Sequence, residues 1–267
     1  AGRRQLQLIV PVSVDSVLDM YISKDMGDRD PYWTRPWHSA IAMAEEIFER
    51  PELVAGKTVV DIGAGLGVGG IAAALAGAKR VLLLDREPLA LQCALLSAKA
   101  SGVSTVGDPR LLGELTTTSS ASSLVGSLLS DMEAMAVQQP VGDQAEPSLV
   151  EAGLLDWLDP QDLDRHGCFD VVLACDVLYE DFSVAPVAAL VSRLLSARFG
   201  DVLLADPPNR TRHNREAFLE LLREGMPDTR LLESGQRRVE LCGQAADVQM
   251  LLFRRTYAGI SSTIGLL

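Results

Sequence analysis

The chain has 267 residues, 48% of them apolar, and a formal net charge of −12. This length and apolar content suit one α/β domain with a sizeable core. The acidic balance argues against a nucleic-acid partner, because phosphates would find no broad basic face to neutralise them. No apolar run is long enough to span a bilayer, so we also expect no membrane partner.

The N-terminal part of the chain combines a strand-like segment, an aromatic loop and a helix. Residues 6–14 predict an edge strand, because Pro11 cannot donate to a central ladder. Residues 30–38 (DPYWTRPWH) form an aromatic, proline-rich loop that holds two of the three tryptophans. Ser39 can cap a helix that runs to Arg50 and carries apolar residues on one face.

Regular alternation of strand and helix begins at Lys57. Two short, mainly apolar runs, each with an acid at or near its end, predict strands at residues 58–62 and 80–85, and each precedes a helix, at residues 69–77 and 88–100. Strands without polar alternation, joined by helices, are typical of a parallel sheet that is covered on both faces.

Residues 104–147 interrupt this alternation. They include a Ser/Thr-rich run at 116–123, so we predict a mobile surface insertion, with one helix at 124–137. We expect residues 1–257 to form one domain that contains this insertion, and residues 258–267 to form a loose tail.

The alternation resumes after the insertion. Strand and helix follow each other twice more, at residues 169–174, 184–198, 201–205 and 214–224. Two last segments, 237–241 and 248–257, can pair with each other as antiparallel strands. The sequence therefore predicts an α/β fold, with a Rossmann-like, mostly parallel sheet that ends in an antiparallel C-terminal hairpin.

The first predicted strand leads into an acid and a glycine-rich loop. Residues 59–67 read VVDIGAGLG, and Gly63, Gly65 and Gly67 would let the backbone approach a ligand at the start of the next helix. Asp61 would repel a pyrophosphate but suits a cationic ligand, such as the amino and sulfonium groups of S-adenosylmethionine. A dinucleotide site remains an alternative, because Gly65, Gly67 and Gly70 also satisfy G-x-G-x-x-G, and so does a turn without a ligand.

Acids also follow the later strands. Asp85 ends the second strand and can accept both hydroxyls of a ribose, although it could instead cap a helix. Asp156 can accept from the exocyclic amine of an adenine, and Trp157 can cover a flat base or simply pack at the rim. These residues predict a nucleoside site without separating S-adenosylmethionine from a nicotinamide dinucleotide.

Asp176 and Tyr179 follow the next core strand and should face the same crevice as the glycine loop. Asp176 could orient a substrate amine or take its proton, and Tyr179 could hydrogen-bond to that amine. A capping aspartate and a wedged tyrosine are the structural alternative. The later Asp206-Pro207-Pro208 is expected to form a rigid loop that lines the pocket.

The cysteines and histidines do not predict a metal site. Cys93, Cys168, Cys175 and Cys242 form no C-x-x-C pair and do not stand near the histidines at metal-like spacing. We expect all four to be reduced core thiols, in an intracellular compartment such as the cytoplasm or an organelle matrix.

The acid and glycine loop, Asp85 and the Asp-x-x-Tyr motif at Asp176–Tyr179 together resemble the class I methyltransferases, and more narrowly methyltransferase family 16. The aromatic loop before the first helix extends the likeness, which covers most of residues 6–257. The resemblance implies that S-adenosylmethionine is held by Trp37, Asp61, the glycine loop, Asp85, Asp156, Trp157 and Asp176. It also implies that Asp176 and Tyr179 lie near an incoming lysine.

Our hypothesis from the sequence is an S-adenosylmethionine-dependent methyltransferase that acts on a lysine amine of a protein partner. A small-molecule N- or O-methyltransferase, a catalytically inactive subunit with the same fold and a nicotinamide dehydrogenase remain as alternatives.

Overall fold

The computed structural model describes residues 6–27, 29–107, 148–161 and 163–256. The central feature is an eight-stranded sheet with the order β3-β4-β2-β1-β5-β6-β8-β7. The strands are β1 (Thr58–Ile62), β2 (Arg80–Asp85), β3 (Ser104–Gly107), β4 (Leu149–Leu154), β5 (Val171–Cys175), β6 (Phe199–Asp206), β7 (Thr229–Leu241) and β8 (Gln244–Thr256).

Six α-helices pack around this sheet in the part of the chain that the structure describes. They are α1 (Val14–Ser23), α2 (His38–Glu49), α3 (Val68–Leu75), α4 (Pro88–Ala100), α5 (Val184–Leu194) and α6 (Arg212–Gly225). None of the described helices has both the length and the apolarity needed to cross a membrane.

The strands from β3 to β6 run parallel, whereas β8 pairs antiparallel with both β6 and β7. The predicted Rossmann-like fold with an antiparallel C-terminal hairpin is therefore confirmed. The chain first builds the sheet outward from β1 on one side and then crosses to β5 on the other side. The crevice between the ends of β1 and β5 is thus a topological switch point, where open α/β sheets bind their ligands.

The core lies on both faces of the sheet, because successive side chains of a strand point to opposite faces. In β1, Val59 packs in the layer that contains α2, α3 and α4, whereas Val60 and Ile62 pack in the layer of α5. The other central strands divide in the same way. This burial on both faces explains why the central strands are mainly apolar and lack alternation with polar residues.

The N-terminal prediction was wrong, because residues 6–14 do not form a strand. The backbone N–H groups of Gln7 and Ile9 donate to the hydroxyls of Ser101 and Ser97 instead of a neighbouring strand. Ser13 then accepts from the backbone of the first turn and starts α1.

The cysteine prediction was wrong in part. All four thiols are free and Cys93 is buried, but Cys168 and Cys242 are exposed. Cys242 lies in the tight turn between β7 and β8, where its side chain has no core to enter. The predicted insertion also begins within a strand, since β3 occupies Ser104–Gly107. The helix predicted at 124–137 and the tail predicted at 258–267 lie outside the described residues.

Candidate active site

A cavity of about 510 Å³ lies at the carboxyl ends of the parallel strands. This volume falls within the range of ordinary small-ligand sites, roughly 300–1,000 Å³. Strands β1, β2 and β5 place Asp61, Asp85 and Asp176 in its wall, and the chain after β4 adds Asp156 and Trp157. The cavity therefore brings together acids that are separated by up to 115 positions in the sequence.

The glycine loop forms the floor between β1 and α3. Gly63, Gly65 and Gly67 all have positive φ angles, of 63°, 52° and 73°, which side chains rarely adopt. Gly63 and Gly65 line the cavity, but Gly67 does not. A Cβ on Gly67 would stand 2.8 Å from Cβ of Ala94, so this glycine permits close packing of α3 against α4.

Asp61 is almost fully enclosed, with 2% of its surface exposed. Its Oδ2 accepts from the backbone N–H of Gly70 at 2.8 Å, in the first turn of α3. Its Oδ1 is buried and finds no hydrogen-bond donor among the described residues. Burial is the main cause that raises the pKa of Asp61 to about 7.

Asp85 is held by the loop that it faces. Its Oδ2 accepts from the N–H of Gly65 at 2.7 Å, and its Oδ1 accepts from the N–H of Glu87 at 2.9 Å. Burial raises the pKa of Asp85 to about 6, and these backbone donors oppose the rise. Each carboxylate oxygen can accept a further hydrogen bond, which leaves capacity for two ribose hydroxyls.

A buried hydrogen-bond chain beside Asp85 was missed by the sequence analysis. The indole N–H of Trp33 donates to the Tyr21 hydroxyl at 2.7 Å, and this hydroxyl donates to Glu87 Oε2 at 2.6 Å. The chain ties α1 and the aromatic loop to the segment that follows β2. No local pattern could reveal it, because Tyr21 and Glu87 are 66 positions apart.

Trp157 lies against the glycine loop. Its Cζ2 is 2.6 Å from the point that a Cβ on Gly63 would occupy, so only glycine fits there. The ring centroids of Trp157 and Tyr179 are 6.3 Å apart, and both residues line the cavity. Asp156 accepts from the N–H of Leu158 at 2.9 Å, which fixes the turn that presents the indole.

Asp176, Arg210 and Trp37 meet in another part of the cavity wall. Asp176 has a φ of 57°, a strained conformation of the kind found at functional sites. Its Oδ1 accepts from the guanidinium of Arg210, whose Cζ lies 5.8 Å from the centroid of the Trp37 ring. The pKa of Asp176 is raised by burial, against the lowering effect of Arg210.

Asp206 does not line the cavity as predicted. It is fully buried and accepts from Thr211 and from Arg215, the latter at 2.6 Å. Arg215 also donates to the carbonyl oxygens of Pro207 and Pro208. This segment therefore supports the site without lining the cavity, except through Arg210, which lies in the cavity wall.

The histidines lie outside the cavity lining. His38 Nε2 is 3.0 Å from the carbonyl oxygen of Gln244, and His213 Nε2 is 3.0 Å from Asp181 Oδ1. Within the described residues, no three His, Cys, Asp or Glu side chains come together as a metal-binding group.

The residues present fit S-adenosylmethionine. The unpartnered, buried Oδ1 of Asp61 suits an ammonium donor. A Cβ on Gly65 would meet no atom within 4 Å, so the loop leaves open space where a ligand would lie. Asp85 has acceptor capacity for ribose hydroxyls, and Asp156 and Trp157 offer an acceptor and a flat apolar surface for a base.

Comparison with known proteins finds methyltransferases. Residues 38–138 match the family model described as Ribosomal protein L11 methyltransferase. The Electron transfer flavoprotein beta subunit lysine methyltransferase of Rattus norvegicus is 36% identical over 74 residues, 28% of this chain and 29% of that protein. Its Homo sapiens counterpart is 41% identical over 61 residues, 23% of each chain. The matched segment thus spans less than a third of these relatives.

Among solved structures, the chain resembles a ribosomal protein L11 methylase from Lactobacillus delbrueckii subsp. bulgaricus. The TM-score is 0.47 at 17% identity, over 84% of this chain and 81% of that one. The strand order and the glycine loop are those of a Rossmann-like fold, and the segment at residues 38–138, which contains this loop, is similar in sequence to a family of methyltransferases.

Proposed function

We propose that this protein transfers a methyl group from S-adenosylmethionine to the ε-amine of a lysine in a protein substrate. The observation that carries the proposal is the placement of Asp61, Asp85 and Asp176 around one open cavity at the switch point of the sheet. In this proposal Asp61 and Asp85 bind the methyl donor, and Asp176 lies where the acceptor amine would enter.

The charge of the cavity suits cationic ligands. Its described lining contains seven carboxylates and four guanidiniums, so the acids are in excess. The whole chain carries a net charge of −12, which attracts a lysine-bearing protein segment and repels the phosphates of a nucleic acid. Both the methyl donor and a lysine acceptor are cations, and both are therefore favoured by this field.

The mouth of the cavity suits an extended protein chain better than a small molecule. Four apolar side chains that line the cavity are 48–64% exposed, and together they form the apolar rim: Tyr32, Leu158, Tyr179 and Phe182. Exposed apolar surface around a pocket is typical of a docking site for another molecule. The names of the matching relatives also describe enzymes that act on proteins, and one group acts on a lysine.

The residues of this chain can prepare a lysine for reaction. S-adenosylmethionine, when bound, supplies a methyl group activated by a positive sulfur. The ionised carboxylate of Asp176 attracts the substrate ammonium, and its raised pKa brings it closer to that of the amine whose proton must leave. The Tyr179 hydroxyl can hold the amine in line, and the neighbouring apolar rim can limit its hydration.

Radiolabelled methyl transfer into a cell extract tests this proposal. We expect the full chain to place the label in protein and, after acid hydrolysis, in methyllysine. The Asp176→Ala variant should lose most of this activity, while Arg212→Gln should retain it because Arg212 is exposed and, among the described residues, pairs with Glu216 alone.

Binding of S-adenosylhomocysteine, measured on each variant, shows that the site is still folded. Label recovered in RNA or in a small molecule would contradict a protein-lysine substrate. Labelling that persists in a folded Asp176→Ala variant would remove Asp176 from the mechanism.

A further inference from the structure

Arg210 occupies the position next to Asp176 that an acceptor ammonium would need. Its guanidinium donates to Oδ1 of Asp176, and the side chains are 50% and 11% exposed, respectively. Arg210 makes no other ion pair within the described chain, and its Cζ lies 5.8 Å from the centre of the Trp37 ring. A cation that is half in solvent thus covers a carboxylate that is largely buried.

The segment that carries Arg210 is anchored at both of its ends. Upstream, Asp206 accepts from the buried Arg215. Downstream, Thr211 bonds to Asp206, and Asn214 donates to the carbonyl oxygen of Leu178 at 2.8 Å. The backbone on either side of Arg210 is therefore tied to the Asp176–Tyr179 segment, whereas the Arg210 side chain itself is 50% exposed.

We propose that Arg210 is a displaceable cation that holds the acceptor position at Asp176, and that a substrate ammonium must take its place. This inference rests on the proposed function, because it concerns the acceptor end of the same cavity. Arg210 is then a specificity-determining residue that selects charged amines over neutral acceptors.

The selection follows from the cost of an unpaired buried charge. An incoming ammonium replaces the guanidinium and leaves Asp176 paired, and the released Arg210 returns to solvent. A hydroxyl or amide acceptor would separate the ion pair without replacing its positive charge, and a buried carboxylate without a partner is costly. Discrimination therefore comes mainly from a penalty against the wrong acceptor.

The pH dependence of this exchange is set by the groups around Asp176. Removing Arg210 removes the nearest cation, so Asp176 should hold its proton to a higher pH. The other titratable groups that act on Asp176 or are acted on by it come from α2, β5, the segment after β5 and the end of β6: His38, Cys175, Tyr179 and Asp206.

The exchange can be measured without turnover. The probe is n-butylammonium, which copies the end of a lysine side chain, titrated into the full chain saturated with S-adenosylhomocysteine. Arg210→Gln should bind n-butylammonium about fivefold more tightly than the original protein, since no ion pair has to open. Its binding should also weaken on acidification at a higher pH than in the original protein.

Matched variants separate this effect from a change in folding. Arg210→Lys keeps a cation and should behave as the original protein, and so should Arg212→Gln. Asp176→Asn should abolish n-butylammonium binding with or without Arg210, and n-butanol should bind to the original protein more weakly than n-butylammonium.

Two different failures can be told apart. If the chain binds S-adenosylhomocysteine and n-butylammonium but Arg210→Gln leaves or reduces the amine affinity, the displacement model is overturned while the proposed function stands. If the chain does not bind S-adenosylhomocysteine, the proposed function fails first.

Discussion

Asp61 and Asp85 show how burial tunes single residues in this cavity. Both carboxyls lie at strand ends beneath the surface, and desolvation raises their pKa values to about 7 and about 6. A buried carboxyl of this kind ionises readily only when a cation or a set of donors compensates the charge. In the proposed function the ammonium group of the methyl donor pairs with Asp61 and the ribose hydroxyls bond to Asp85, so ligand binding and ionisation should be coupled.

The affinity for S-adenosylhomocysteine should therefore rise with pH. The ligand favours the ionised carboxylates, so binding must remove a proton from Asp61 below pH 7 and from Asp85 below pH 6. We expect the dissociation constant to increase as pH falls from 8 to 5, as measured by calorimetry. In Asp61→Asn, binding should be weaker at pH 8 and the step near pH 7 should be absent.

Asp164→Asn is the matched control, because Asp164 is exposed and its one ion pair in the described part of the chain is with Arg193. A dissociation constant that stays constant from pH 5 to 8 in the original protein would contradict an ionised Asp61 in the complex.

At the level of elements, the N-terminal helix is tied to the cofactor side of the sheet. The Tyr21 hydroxyl lies between the indole N–H of Trp33 and the carboxylate of Glu87. The backbone N–H of Glu87 in turn donates to Asp85. The position of Asp85 therefore depends on α1, although α1 lies outside the sheet.

Tyr21→Phe should weaken both stability and cofactor binding. It leaves a buried indole donor and a buried carboxylate without their shared partner, at a cost of roughly 1–3 kcal/mol. For a chain of this size, that corresponds to a melting temperature lower by several degrees. Calorimetry should also show weaker binding of S-adenosylhomocysteine, because Glu87 and Asp85 move together.

Tyr32→Phe is the matched control for stability. Tyr32 is 55% exposed, and its hydroxyl has no hydrogen-bond partner in the part of the chain that the structure describes. A Tyr21→Phe protein as stable as Tyr32→Phe would show that the buried hydrogen-bond chain contributes little.

Substitution by alanine should have different effects at Gly65 in the loop and at Gly70 in α3. A Cβ on Gly70 would overlap Cδ2 of Leu83 and lie 3.1 Å from Cγ1 of Val81, so Gly70→Ala should cost about 1–3 kcal/mol by overpacking. A Cβ on Gly65 would meet no atom within 4 Å, and its φ of 52° costs alanine roughly 1–2 kcal/mol.

Thermal unfolding and calorimetry on the same two proteins separate core packing from the ligand site. We expect the lower melting temperature in Gly70→Ala. We expect the greater relative loss of S-adenosylhomocysteine affinity in Gly65→Ala, whose methyl group would stand beside the cavity. The reverse order would mean that Gly65 has a purely structural role.

The sequence predicted the elements whose signal is local. Strands β1 and β2 have the predicted bounds, because both are mainly apolar runs next to glycine or charged residues. Strand β7 begins at Thr229, well before the predicted residue 237, because its outer part is exposed and carries no alternating pattern. The N-terminal segment was mispredicted because its hydrogen bonds go to serines 88 and 94 positions away.

The candidate site likewise contains residues that the sequence predicts and residues that it does not. The acids at the strand ends could be found from the sequence, because an acid after a buried strand is visible without any partner. The contacts of Asp176 with Arg210 and of Tyr21 with Glu87 join residues 34 and 66 positions apart. Such contacts depend on how the elements pack, and no spacing within one segment encodes them.

At the scale of the whole molecule, five separate segments of the chain place acidic side chains at one edge of the sheet. The parallel strands β1, β2, β4, β5 and β6 each carry an aspartate at or just after their carboxyl end. Four of these aspartates line the cavity. The fifth, Asp206, is paired with Arg215 and supports the segment on the acceptor side. The fold thus concentrates negative charge where a cationic donor and a cationic acceptor would have to meet.

Calorimetry with S-adenosylhomocysteine and, separately, with NADH tests the central claim most directly. We expect S-adenosylhomocysteine to bind one site per chain and NADH not to bind, because Asp61 repels a pyrophosphate. In Asp85→Asn the affinity should fall roughly tenfold or more, since hydrogen bonds to a charged acceptor are lost. Binding of NADH without any binding of S-adenosylhomocysteine would contradict the account.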